Sequence, residues 1–417
     1  MYSRNIKNLF LAGRILSASH IAFGSTRVMA TCAHSGQAVG MAAAICARKK
    51  LLPRDLLSAA RMKELQGELL RIGQYIPGVA AADENDLART AEISATSELK
   101  LASLAPSGET MPLDAAGAMM LPVSPGAMPS VEFLCDVSSP TTVRAELRVS
   151  SKPDNHTPDV TLAMHEIKLP AGTRLRLPLK FDATIDTPRY AFVCLMANPD
   201  VSVYLSDSRV TGVLAVTQKF NRAVAKSPRQ EPPPGSGIDS FEFWIPQRRP
   251  AGKNLALKIF PPLEVFSAQN LTNGFARPTS QPNAWVADFA HEQPVLTLAW
   301  DKPQNIARIE LSFDTDFDHP MESVLMGHPE RVMPFCVREV TVALPARKPV
   351  LAGRANGNGA PQSDTERLVF EISENHQSRV VVQLKTPVIT DALELRVSSP
   401  NANVPAALFE VRCYADA

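Results

Sequence analysis

Asn8-Leu9-Phe10-Leu11-Ala12-Gly13-Arg14 runs into Ser19-His20-Ile21-Ala22-Phe23-Gly24-Ser25-Thr26-Arg27, and a stretch dense in alanine and glycine follows to about Lys50. The first run, short, apolar and closed by glycine, reads as a buried strand. The stretch from Ser25 to Lys50 reads as one helix, with Gly36, Gly40 and Ala44 four apart and therefore on one face. Each glycine inside a helix costs roughly 1 kcal/mol relative to alanine, so a close packing or ligand contact is expected on that face. Arg48, Lys49 and Lys50 suit the negative C-terminal end. Ser25, Thr26 and Arg27 read as the first turn, where free N–H groups and the positive helix end can receive an electron-rich ligand atom.

Working outward, Pro53 opens a second helix whose apolar stripe is Met62, Leu65, Leu69 and Ile72, and Pro77-Gly78 ends it. Residues 79–93 show little periodicity and read as a connector. From Ser94 the pattern changes to strand alternation, as in Ser130 to Cys135, Thr142 to Val149, Leu175 to Leu179, Tyr190 to Met196 and Val201 to Leu205. The segment from Ala225 to Gly237 contains Pro232-Pro233-Pro234 and reads as a stiff linker. After it, Leu296 to Trp300, Ile306 to Phe313 and Glu339 to Leu344 alternate again. The expected layout is residues 1–78 as a helical segment, 94–225 as a jelly-roll-like β-sandwich and 238–417 as a second sandwich.

A chain of 417 residues allows several cores. Lys plus Arg number 43 against 42 Asp plus Glu, with no dense basic run, so the field needed to hold nucleic acid is missing. The six cysteines lie far apart without a CxxC pair and read as buried thiols, which leaves the redox compartment open. No apolar run approaches the ~20 residues of a spanning helix. Arg14 interrupts the only stretch that mimics a secretion signal, so the sequence assigns no compartment.

The pattern over residues 8–78 resembles the C-terminal portion of FAD-dependent oxidoreductases of the fumarate reductase and glutathione reductase type. The resemblance implies that this region is the last β-α element of a flavoprotein Rossmann-like domain, in a chain otherwise mainly β with two antiparallel sandwiches. It further implies that Gly13 and Arg14 border FAD, that Ser25, Thr26 and Arg27 face the flavin, and that His20 and Arg27 serve catalysis. The implied chemistry is hydride transfer between FAD and a small-molecule substrate. The dinucleotide fingerprint, a GxGxxG between strand and helix, has no counterpart in this sequence. The expectation is therefore a C-terminal part whose FAD-binding domain is missing or separately encoded, inactive as an isolated chain and weak or null in FAD binding.

Residues 267–274, 284–288 and 407–414 resemble discoidin-like, galactose-binding-like β-sandwiches, which implies as the alternative a non-catalytic protein that binds glycans or a protein partner. Trp285 is the surface candidate for stacking on a sugar, whereas Trp300 alternates with Leu296 and Leu298 and reads as core. His20 has the plain alternative of a loop hydrogen bond, and Arg27 that of a salt bridge. His319, Glu322, His328 and Glu330 cluster near Asp314, Asp316 and Asp318, but their spacing matches no metal-ligand pattern and no metal is assigned.

Overall fold

The computed structural model describes residues 1–152, 156–223, 225–237, 239–246, 252–315, 335–346 and 367–416. The chain divides into two compact units, Met1–Glu84 and Asn85–Ala417.

The first unit is helical. Helix α1 is His20–Thr26, α2 is Met29–Lys49 and α3 is Ala59–Arg71. The Ser19 hydroxyl caps α1 by accepting the Ala22 N–H at 3.3 Å. Val28 then takes an extended conformation and opens α2. Two expectations are corrected. Residues 8–14 form no strand; they make one isolated bridge, Phe10 to Tyr2, and a 3-10 turn at Gly13–Ile15, because no neighbouring strand among the described residues of this unit offers a ladder. Ser25 and Thr26 end α1 and Arg27 caps it, so the first turn of α2 is Met29, Ala30 and Thr31.

At its other end α2 stops where Lys50 turns left-handed (φ 55°) and the Leu51 N–H returns to the Cys46 carbonyl at 2.9 Å. Ala42, Ile45 and Cys46 of α2 bury against Leu56, Leu65 and Leu69, and Lys49 reaches Glu64 of α3 at 2.5 Å. Hydrogen bonding from Lys49 holds the Glu64 carboxyl below its ordinary value.

Among its described residues, the second unit is built of antiparallel β-sheets. One core lies between a six-stranded sheet and a seven-stranded sheet, filled by residues such as Leu121, Phe133, Leu147, Val193 and Leu257. A further seven-stranded sheet surrounds a second core containing Trp285, Leu298, Leu311, Val342 and Leu395. Its spine is the pair of 19-residue strands Val295–Phe313 and Arg379–Val397. Register shifts between Ala299 and Gln304 and between Ile306 and Arg308 let this ladder bend around its own core.

One strand crosses between the sandwiches, and the first sandwich continues past the proline-rich segment. Strand Leu257–Leu263 follows the proline-rich segment, yet it pairs with Ser130–Val137 on one side and Leu101–Leu104 on the other. Strand Glu92–Ala95 precedes the first sandwich in sequence and pairs with residues 296–299 of the later sheet. Boundaries at 94 and 238 therefore do not match the pairing, since each cuts a strand away from the sheet that satisfies its N–H and C=O groups. Ala284, Val286, Ala407 and Phe409 continue the first core into the second sandwich.

Asp86 ties the entry of this unit to its last strand. One carboxylate oxygen, Oδ1, accepts both the Ala88 N–H at 3.0 Å and the Cys413 N–H at 2.9 Å. Burial pushes the Asp86 carboxyl up to about 6.

Two outcomes follow from the strand pairing and from this buried tie. A fragment starting at residue 238 should lack a cooperative thermal transition, whereas one starting at residue 85 should unfold cooperatively; circular dichroism distinguishes them. At Asp86 the folded group keeps its proton to higher pH than the unfolded one. Its contribution to stability is full below about pH 4 and is lost as pH rises to about 6. Asp86→Asn retains an Oδ1 acceptor for both N–H groups without the charge. It should be more stable than the native chain at pH 7 by on the order of 2 kcal/mol, with the difference vanishing below pH 4 in urea titrations.

Candidate functional site

The first turn of α2 is an open donor set. Val28 supplies no side-chain cap, and the first intrahelical bond of the helix runs from the Cys32 N–H to the Val28 carbonyl at 3.0 Å. The amides of Met29, Ala30 and Thr31 lie ahead of that bond and are free to donate outward. Beside them the Thr26 hydroxyl oxygen is buried and has no hydrogen-bond partner among the described residues, while the Thr26 carbonyl accepts from the Cys32 thiol at 3.4 Å. Arg27 projects from the break between the helices and is exposed. The 3-10 turn at Gly13–Ile15 and helix α1 both pack against α2.

The expected site residues fall around this turn without closing into a pocket. Gly13 is half-buried with a left-handed φ of 68°, and nothing lies within 4 Å of the position a Cβ would occupy. Arg14, His20 and Ser25 are exposed. His20 is the first residue of α1 rather than a loop residue. The donor set fits the electron-rich pyrimidine edge of a flavin: three backbone N–H groups, an orphaned hydroxyl and a guanidinium. It does not fit the adenosine diphosphate half, for which this unit has no strand-glycine-helix element among its described residues.

A second feature of the unit escaped the sequence reading. A largely apolar cleft of about 450 Å³ lies between Ala38 and Ala42 of α2, Leu65 and Leu69 of α3, and the segment ending at Pro77. Gln74, itself buried, fixes one wall by donating to the His34 carbonyl at 2.9 Å and to Gln37 Oε1 at 3.0 Å. The stripe Met62, Leu65 and Leu69 was visible in the sequence, but apolar periodicity does not separate a filled face from a cleft wall. Burial pushes the Cys46 thiol up, with Asp55 adding to it, so it stays protonated as a packing group. A Cβ added at Gly36 or Gly40 would meet nothing within 4 Å, so the two glycines present an open helix face.

In the second unit Trp285 overturns its assignment. It is fully buried, and its indole N–H donates to the Ser97 carbonyl at 2.9 Å, so it cannot stack on a sugar. Trp300 is core, with its N–H on the Leu87 carbonyl at 2.8 Å. His319, Glu322, His328 and Glu330 lie outside the described residues, as do Asp316 and Asp318. Among the described residues no group of three or more His, Cys, Asp or Glu side chains could hold a metal ion. Among them, too, no helix is long and apolar enough to cross a membrane.

Residues 1–69 match the family described as FAD dependent oxidoreductase. No curated protein matches the chain. Solved structures similar to it include the family 32 carbohydrate-binding module of EndoD from Streptococcus pneumoniae, at 12% identity and a TM-score of 0.26, covering 38% of this chain and 91% of that one. Chitosan-binding module 1, derived from a chitosanase/glucanase of Paenibacillus sp. IK-5, is 11% identical with a TM-score of 0.23, covering 36% and 86% of the two chains. A Clostridium perfringens module in complex with GalNAc-beta-1,3-galactose is 10% identical with a TM-score of 0.22, covering 36% and 84%.

The open glycine face has a measurable consequence. Gly36→Ala with Gly40→Ala should slow hydrogen exchange of the α2 amides, stabilising the helix by about 1 kcal/mol per site, since the added methyl groups meet nothing. Faster exchange in the double variant would mean that the face is occupied within the chain.

Proposed function

We propose that residues 1–78 are the flavin-edge segment of an FAD-dependent oxidoreductase acting on a small-molecule substrate. The FAD-binding fingerprint comes from a missing or separately encoded domain. The observation that carries this reading is the uncapped start of α2, with the orphaned Thr26 hydroxyl and the exposed Arg27 beside it. It lies inside the stretch that matches the oxidoreductase family.

In this reading the flavin, when bound, supplies the hydride chemistry. The amides of Met29, Ala30 and Thr31 orient its pyrimidine edge and offset the negative charge that reduction places there. Arg27 adds a full positive charge and a planar pair of donors. The Thr26 hydroxyl gains the partner it lacks among the described residues. His20, exposed at the start of α1, is available to orient substrate or move a proton. Gly13 and Arg14 form the neighbouring turn against α2. As an isolated chain the protein should be inactive, because its described residues offer no element for the adenosine diphosphate half.

The test is amide chemical-shift mapping with millimolar FAD, FMN and ADP. FAD and FMN should shift the amides of residues 27–32 alike, ADP should leave them unchanged, and Arg27→Gln should weaken the flavin response several-fold. A stoichiometric yellow chromophore on the purified chain would contradict the need for a second domain. Shifts with ADP alone, or none with any flavin, would contradict the flavin-edge assignment.

A further inference from the structure

The first sandwich carries a cationic notch formed by a change of strand partner. Along strand Ser130–Val137, Phe133 pairs with Leu257, but Cys135 pairs with Val203 of a different strand. The two partners meet where the Ala256 N–H donates to the Tyr204 carbonyl at 2.8 Å. The divergence leaves a depression of about 330 Å³, with Leu134 on its floor and Arg174, Arg176, Lys258 and Glu132 among its walls.

Arg174 is fixed in place. Its backbone is left-handed at φ 53°, a conformation that non-glycine residues seldom hold without a compensating contact. Its N–H donates to Asp136 Oδ1 at 2.7 Å, and its guanidinium lies over the Tyr204 ring at 5.3 Å. The Tyr204 hydroxyl in turn donates to Asp136 Oδ2 at 3.3 Å. Neither the Arg174 guanidinium nor the Lys258 ammonium has an ion-pair partner among the described residues. Arg176 is 3.7 Å from Glu132 and 70% exposed, so that pair is loose and solvated.

We infer that this notch binds a carboxylate-bearing sugar, a uronate residue of an acidic polysaccharide. The guanidinium of Arg174 presents a planar fork that matches a carboxylate, and Lys258 supplies a second positive charge across the notch. Glu132 and the exposed Ser103 hydroxyl can pair with sugar hydroxyls, and the Leu134 side chain offers an apolar floor for a ring face. The three cations are partly balanced by Glu132 and Asp136, which suits a polyhydroxylated monoanion and disfavours a densely charged polyanion. This inference stands on the first sandwich and is independent of the flavin reading.

The experiment is calorimetric titration of the full chain with an oligogalacturonate, galacturonate, neutral galactose and polyglutamate. The oligogalacturonate should bind, weakening as salt is raised; galacturonate should bind the same site more weakly, and galactose at least tenfold more weakly than galacturonate. Arg174→Gly removes the guanidinium while suiting the left-handed backbone, and Lys258→Ala changes an exposed side chain. Each should reduce oligogalacturonate binding at least tenfold with an unchanged thermal transition. Equal binding of galactose, polyglutamate as tight as oligogalacturonate, undiminished binding by both variants, or no binding of any uronate would each overturn the inference.

Discussion

The second unit depends on backbone pairing between strands that are distant in sequence. Leu257–Leu263 pairs inside the first sandwich, and Glu92–Ala95 pairs with residues 296–299 of Val295–Phe313, its Ile93 carbonyl also accepting from the Gln269 side chain at 2.9 Å. The second sandwich therefore contains a strand that the chain delivers before building the first. Removing either strand takes from its partner a run of ladder hydrogen bonds and, at Ile93 and Leu257, buried apolar side chains. The shared core at Val286, Ala407 and Phe409 adds apolar burial to the same junction. This interlock fixes the sheet divergence that opens the notch beside Arg174, since Leu257 reaches Phe133 only because its strand returns there.

The helical unit is organised differently. Its core is a small set of side chains between α2 and α3, and much of α2 remains exposed, including Met29 at 88% and the face carrying Gly40. The same exposure that limits its stability leaves the amides of residues 29–31 available to a ligand. An uncapped helix start is a small local cost, and the proposed flavin contact supplies the missing acceptor.

Strand character was readable because alternation of buried and exposed positions is a local property. Ser130 to Cys135 and Thr142 to Val149 were expected as strands, and the observed spans are Ser130–Val137 and Thr141–Val149. Sheet membership was not readable. In Leu257–Leu263 the pair Pro261-Pro262 hid a strand that donates to its neighbours through other residues, and no local signal says which sheet a strand will join. Trp285 failed for the same reason: its burial depends on Ser97, 188 residues earlier in the chain. At the candidate site the Ser-Thr-Arg run lies at the end of one helix, two residues ahead of the start of the next, rather than in its first turn. Sequence alone gave no sign that a separate helix, capped by Ser19, takes Ser25 and Thr26 as its last residues. The apolar cleft and the cationic notch arise from non-local packing and had no sequence signature.

Native-state hydrogen exchange across the whole chain tests the interlock most directly. The expected result is that amides of Ser130–Val137, Leu257–Leu263, Val295–Phe313 and Ala407–Tyr414 share one global opening free energy and one denaturant dependence, while residues 1–84 exchange through a separate, lower-energy opening. Two distinct global openings, one for each sandwich, would contradict the claim that the crossing strand and the shared core make residues 85–417 a single cooperative body.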